Sequence, residues 1–315
     1  MKVSPCFWQL PARDASEPSR FARLFGACKA RTLRLLSAVA IYTSRENMTR
    51  PRSILLSVAL VTRNRPGSLE RAIASLRAQD EQPFEVVISD DSDDEFVSEI
   101  KTIAQKFGCR YVRGPKRGLY ANRNFAAIDC RGTHIRTMDD DHVLPSHHLA
   151  QCLAAVRQEP DAIWTTGEMG YLNGESVGIA ETAAQLGPAG VGEAIVRHDD
   201  NWGIADGSTI YPREVFDRGF RMVEDFGFGS SYLEFGALLY NRGWKCRCVI
   251  GAFVEHRAIS LSQPDPLSLC FASICFNRYF RPSAFRLVRY LLPHRESWTQ
   301  LPNLFEMAHG RWKAR

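Results

Sequence analysis

The chain has 315 residues, 45% of them apolar and 24% charged, which suits one large or two modest globular domains. That composition excludes collagenous, mucin-like and wholly disordered chains. The net charge of +5 is unevenly spread, +6 over 1–50, −7 over 51–275 and +6 over 276–315. An acidic body with basic ends argues against a nucleic-acid partner and suits an anionic membrane surface better.

Residues 1–52 form a basic N-terminal extension. Within it, Phe21–Ile41 has the pattern of a basic amphipathic helix. Three readings stay open for this extension: a membrane-surface helix, a disordered segment, or a stretch dispensable to the natural product, since Met48 directly precedes the first strong strand signal. It does not read as a secretory signal, because Arg31 and Arg34 interrupt its apolar run. No window reaches the roughly 18 to 20 uncharged apolar residues of a membrane span.

From Ser53 the signals sharpen. SILLSVALV (53–61) is a continuous β-branched run, as expected of a strand buried on both faces of a parallel sheet. Ser68 is positioned to cap a helix carrying Leu69, Ile73 and Leu76 at helical spacing. FEVVISDD is a second strand, EFVSEIKTIAQKF a helix, CRYVRG a third strand, NRNFAAIDC a helix and HIRTMDDD a fourth strand. This β-α rhythm specifies an α/β fold with an open, mostly parallel twisted sheet flanked by helices. Ligands bind beyond the carboxyl ends of such strands, so the acidic clusters at 90–94 and 139–141 should converge in space.

After Pro145 the rhythm loosens. HHLAQCLAAVRQ reads as a helix that begins at His147-His148, and AIWTTGEMGYL as a strand, while 172–200 has no firm pattern. WGIADGSTIYPREVFDRGF reads as a strand followed by a helix start, and a helix SYLEFGALLYNRGW stopped at Gly243 and a strand pair in KCRCVIGAFVEHRA follow. The last segment, 261–315, is basic and helical on both sides of Pro282. The nine cysteines are scattered without a C-x-x-C pair and read as mostly buried thiols of a reducing cytoplasm.

Three adjacent carboxylates, Asp139, Asp140 and Asp141, repel one another and favour a compensating cation with a preference for hard oxygen ligands. A solvated acidic turn, or Asp141 capping the next helix, is the plainer alternative. Asp90 and Asp91 sit beside Asp93 and Asp94, either of which suits a helix cap. Trp202 has the chemistry to stack on a sugar or simply to pack. No P-loop, dinucleotide fingerprint or G-x-S-x-G elbow is present.

The stretches LSVALVTRNRPGSLERAIASL, VVISDDSDD and GLYANRNFAAIDCRGTHIRTMDDDHVLP closely resemble the nucleotide-binding half of family 2 glycosyltransferases, inverting enzymes of the GT-A fold. The resemblance covers about 53–256 and implies a GT-A domain over 53–260, with a nucleotide-sugar-binding half (53–145) and an acceptor half (146–260). By that likeness Thr62 and Asn64 lie at the nucleotide edge, and Asp91, with Asp90 beside it, meets the base. Arg123 lies near the base or diphosphate, with Asp139 also on the nucleotide side. Asp139-x-Asp141 resembles the D-x-D metal motif, Asp140 is the alternative ligand, and His256 resembles a late histidine that completes the metal site with Mn2+ or Mg2+.

The acceptor lobe is less similar. Glu234 matches an acidic position in the family's E-D-x-E-like helix, but Tyr232 stands where the catalytic base is usual. Glu234 is therefore the first candidate base and Asp225, with Glu224, the reserve. The resemblance implies metal-dependent transfer from a UDP-, GDP- or dTDP-sugar to a glycan or lipid-linked hydroxyl. Cysteine usage points to the cytoplasm, and the helices of 270–292, where Arg286 and Arg289 flank Phe285, Leu287, Val288 and Leu291, read either as a contact with an anionic inner membrane or as a helix packed on the catalytic body. The alternatives are a catalytically inactive nucleotide-sugar-binding protein and a metal-dependent phosphohydrolase.

Overall fold

The computed structural model describes residues 53–257 and 263–314, so the expected helix within 21–41 and the rest of the extension lie outside the described residues. The first half alternates as its periodicity dictates: β1 (Leu56–Thr62), α1 (Pro66–Arg77), β2 (Glu85–Asp90), α2 (Asp94–Lys106), β3 (Arg110–Arg113), α3 (Leu119–Asp129) and β4 (His134–Asp139). Every residue of β1 is buried, because β1 lies between two parallel neighbours, β2 and β4. Its side chains alternate between two apolar layers. Leu56, Val58 and Leu60 join Leu69 and Ile73 of α1 and Ile100 of α2, while Ala59 and Val61 join Tyr120 and Ala126 of α3. Helix α1 starts earlier than its Ser68 signal. Pro66, pre-set in φ, opens it behind Arg65, and Ser68 instead accepts a hydrogen bond from Arg71.

The second half contributes β5 (His142–Val143), α4 (His148–Gln158), β6 (Ile163–Leu172), β7 (Glu175–Ala180), β8 (Ala184–Leu186), β9 (Gly192–Ala194), β10 (Thr209–Pro212), α5 (Glu214–Asp217), α6 (Ser231–Asn241) and β11 (Cys246–His256). The sheet runs β3-β2-β1-β4-β10-β6-β11-β5, with β7 also paired to β6. Strands β3 to β4 are mutually parallel, β10 is antiparallel to both its neighbours, and β6 with β11 is parallel again. The strand pair expected in KCRCVIGAFVEH is one strand. Its register against β6 shifts between Cys248 and Phe253, around Gly251 at φ +82°.

Past the sheet come α7 (Pro266–Ile274), a π-helical turn Cys275–Phe280, α8 (Ala284–Leu291), a 3-10 turn Arg295–Gln300 and α9 (Leu301–Lys313). Pro282 separates the π-helical turn from α8 because it cannot donate to a continuing helix. Phe271 and Ile274 of α7 and Leu304, Ala308 and Trp312 of α9 share a core with Leu233 and Leu238 of α6. The C-terminal segment thus shares its core with α6 rather than standing apart from it. No helix among the described residues is long and apolar enough to cross a membrane.

Candidate active site

Parallel pairing brings the acidic clusters to one edge. The β1–β2 register sets Thr62 opposite Asp90, and the β1–β4 register sets Val61 opposite Asp139. Beyond that edge the chain turns through Asp140 and Asp141 into β5. The antiparallel pairing of β5 with β11 then places His142 opposite His256.

The three aspartates take three different environments. Arg123, only 2% exposed, donates from Nη2 to both oxygens of Asp139 (2.7 and 2.6 Å), and its other arm pairs with Asp206. Asp140 is fully buried, accepting from Thr62 Oγ1 (2.6 Å) and paired with Arg65 (2.6 Å). Burial pushes its carboxyl up to about 7, against the opposing charge of Arg65 and the Thr62 hydrogen bond. Asp141 receives Arg65 at 2.7 Å on Oδ2, while its buried Oδ1 has no hydrogen-bond partner among the described residues.

Ligand atoms of Asp141, His142 and His256 lie within 4.8 Å of one another. His142 Nδ1 donates to the Gly207 carbonyl (3.1 Å) and His256 Nδ1 to Glu168 Oε1 (2.8 Å), which leaves Nε2 of both rings for the shared space. Burial disfavours the His256 cation, but its hydrogen bonds to Asp141 and Glu168, with their charges, outweigh this and raise it to about 10. Burial likewise opposes ionisation of Asp141, yet the His256 bond and the nearby His142, His256 and Arg65 charges hold it below the usual carboxylate range. A buried carboxylate with a free oxygen and two oriented imidazoles forms a donor set that fits a divalent cation.

Gly207 closes this site from the β10 side. At φ +81° a Cβ there would lie 2.7 Å from Asp139 Oδ2 and 3.0 Å from His142 Cε1, so only glycine allows the approach.

Of the four expected metal ligands the cluster holds Asp141 and His256. Asp139 is turned to Arg123, and Asp140 is occupied by Thr62 and Arg65. Arg123 is buried between Asp139 and Asp206, and so orients Asp139 instead of standing open to a diphosphate. Asp90 is also fully buried. One oxygen caps Ser92 N (2.8 Å), and the other accepts from Tyr111 (2.9 Å) and Arg113 (3.0 Å), which removes it from contact with a base. Asp91 uses Oδ1 for Lys116 N (2.9 Å). Asn64, at φ +57°, ties the β1 and β2 turns together, accepting from Asp93 N (2.8 Å) and donating to its carboxylate (2.6 Å).

The candidate bases fare differently. Glu234 is fully buried, with both oxygens accepting from Arg311 Nε (2.9 Å each) and Oε1 from Trp312 Nε1 (2.8 Å). A carboxylate so enclosed cannot meet an acceptor hydroxyl, and it fastens α9 to α6 instead. Asp225 is exposed and lines a cavity of about 1040 Å³ with Glu224 and Arg221, none of whose lining residues belongs to the Asp141–His256 cluster. Burial raises the Tyr232 hydroxyl to about 12, so it is not a base near neutrality.

Sequence reasoning passed over His142, Glu168, Asp206 and Arg65. His142 had a signal in its place directly after the aspartate run. Glu168 and Asp206 sit in segments whose spacing says nothing of the distant partners they meet.

The model described as glycosyl transferase family 2 matches residues 57–220, just over half of the chain. The chain belongs to this family. Among solved structures it is similar to S. aureus TarS 1–349 in complex with UDP-GlcNAc (TM-score 0.56, 14% identity, 82% of each chain covered). GalNAc-T7 with UDP, GalNAc and Mn2+ is also similar, at a TM-score of 0.58 and 14% identity, covering 81% of this chain and 57% of that one. No curated protein matches. The glycosyltransferase thus has the GT-A architecture that its first half implied, with the Asp141–His142–His256 cluster at the carboxyl edge of its strands.

Proposed function

We propose that this glycosyltransferase moves a sugar from a nucleotide-sugar donor to a hydroxyl of a glycan or lipid-linked acceptor, inverting the anomeric centre with the help of a divalent cation. The observation that carries the reading is the convergence of Asp141, His142 and His256 at the strand edge where the nucleotide half ends. Two imidazoles beside one carboxylate favour Mn2+ over Mg2+. A UDP donor is the first choice, since the TarS and GalNAc-T7 structures hold UDP-GlcNAc and UDP.

In this reading Asp141, His142 and His256 hold the cation, which when bound neutralises charge on the departing diphosphate. Asp91 and Thr62 line the nucleotide side. Arg123 holds Asp139 in place at the strand edge through both carboxylate oxygens. The acceptor proton goes to a carboxylate. Glu168 is the first choice, because it stands within hydrogen-bond distance of His256 with 32% of its side chain exposed. Asp225 is the second. The enzyme works in the cytoplasm, against an anionic inner membrane.

The test is thermal stability against UDP, GDP and dTDP, each with and without Mn2+, followed by transfer assays. A rise that needs both one nucleotide and the metal, and is lost in Asp141→Ala, is expected. Full transfer activity in Asp141→Ala would end the metal assignment. Tyr232 at the usual base position favours one other reading, a donor-binding protein without transfer. Metal-dependent nucleotide binding that never yields product would establish it.

A further inference from the structure

Helix α8 has two apolar faces with different fates. Leu291 is buried, and Leu287 packs on the core formed with α7 and α9. Phe285 (75% exposed), Val288 (58%) and Leu292 (50%), spaced three and four residues apart, form one ridge on the outer side. Trp298, 44% exposed, extends the ridge, because its Nε1 donates to the Leu291 carbonyl (3.1 Å) and so holds the ring at the end of α8. Single exposed apolar side chains are ordinary on a soluble protein, whereas a contiguous row of them marks a docking surface.

The charges around the ridge say what docks. Arg289 and Arg295 are exposed on the same segment, whereas the Arg281 guanidinium lies over the Trp202 and Phe280 rings (5.5 and 4.8 Å). Arg286 is fixed inward, donating to Asn277 Oδ1 (3.1 Å) and to the Arg281 carbonyl (2.6 Å), so it is not counted among them. The one acidic residue between 278 and 300 is Glu296. Aromatic and aliphatic side chains rimmed by arginine, with an indole at the border, match an interfacial helix lying on anionic lipid headgroups.

We propose that Phe285, Val288, Leu292 and Trp298 insert into the surface of an anionic bilayer, with Arg289 and Arg295 on its headgroups. This face differs from the one the sequence pattern suggests, since Leu287 and Leu291 belong to the core. The proposal rests on the membrane placement of the enzyme and is independent of its transfer chemistry.

The experiment is co-sedimentation of the full chain with vesicles of phosphatidylcholine alone or mixed with phosphatidylglycerol. The wild type should bind only the mixed vesicles, and less as salt rises. Phe285→Ser, Val288→Ser and Leu292→Ser together should weaken binding more than tenfold at unchanged thermal stability. Each of Arg289→Gln and Arg295→Gln should weaken it about fivefold. Wild-type binding that survives the three serines overturns this surface while leaving the placement standing. No wild-type binding overturns both. One further result also overturns the proposal: self-association abolished by the serines, which assigns the ridge to a second copy.

Discussion

Arg311→Ala tests whether Glu234 is a structural group. In the folded protein Arg311 reaches both Glu234 oxygens at 2.9 Å and also donates to the Arg221 carbonyl at 2.8 Å. Removing the guanidinium leaves a fully buried carboxylate with only the Trp312 indole as partner. Breaking a buried ion pair from one side costs about 3–5 kcal/mol. The lost carbonyl contact adds about 1 kcal/mol. That is a large share of a stability on the order of 5–15 kcal/mol, and for a body of this size it should lower Tm by about 10 °C. Circular dichroism melts measure it directly. Replacing both partners, Glu234→Leu with Arg311→Leu, should recover most of the loss, because neither charge then stays buried alone. A loss below about 1 kcal/mol in Arg311→Ala would refute the docking of α9 on α6. Glu234→Gln should reduce stability while leaving turnover per folded molecule nearly intact. The opposite pattern would restore Glu234 as the base.

Asp141→Asn should weaken Mn2+ binding at least about tenfold, measured by titration calorimetry, and equal affinity would exclude Asp141 as a ligand. Glu168→Gln should lower Mn2+ affinity by about 10- to 100-fold through the orientation of His256, and an additional fall in kcat at saturating metal would identify it as the base. The cation must displace a proton from His256, which is raised from 6.5 to about 10, so apparent Mn2+ affinity should fall about tenfold per unit as pH drops below that value. A flat profile would remove His256 from the site. The sign for metal-free stability is the reverse: the His256 contribution is fully present below about 6.5 and is lost as pH rises through about 10, a trend His256→Asn should abolish in melts taken across pH. Gly207→Ala should cost about 1–3 kcal/mol in urea unfolding, because the new methyl meets Asp139 in a left-handed backbone, and a neutral result would show that the loop moves freely.

Much of the first half of the sheet was legible in the chain. A run such as SILLSVALV has one good solution, a strand covered on both faces, and successive β-α units force parallel strands whose carboxyl ends share an edge. Aspartates written at strand ends therefore had to share that edge. Their individual tasks could not be read, because Asp139, Asp140 and Asp141 are chemically identical and differ only in the neighbours that the fold presents. Arg123 stands 16 residues from Asp139, and Arg65 76 residues from Asp141. Glu234 misled for the same reason. Its helical spacing suits a base, yet a partner 77 residues away covers it and pairs with both its oxygens. Local periodicity and strand-end placement, being properties of short segments, were determined by the sequence alone. Which carboxylate keeps an oxygen free beside two imidazoles, which holds an arginine and which pins the C-terminal helix was decided only when distant segments packed, since charge state and exposure belong to the assembled environment and not to the residue.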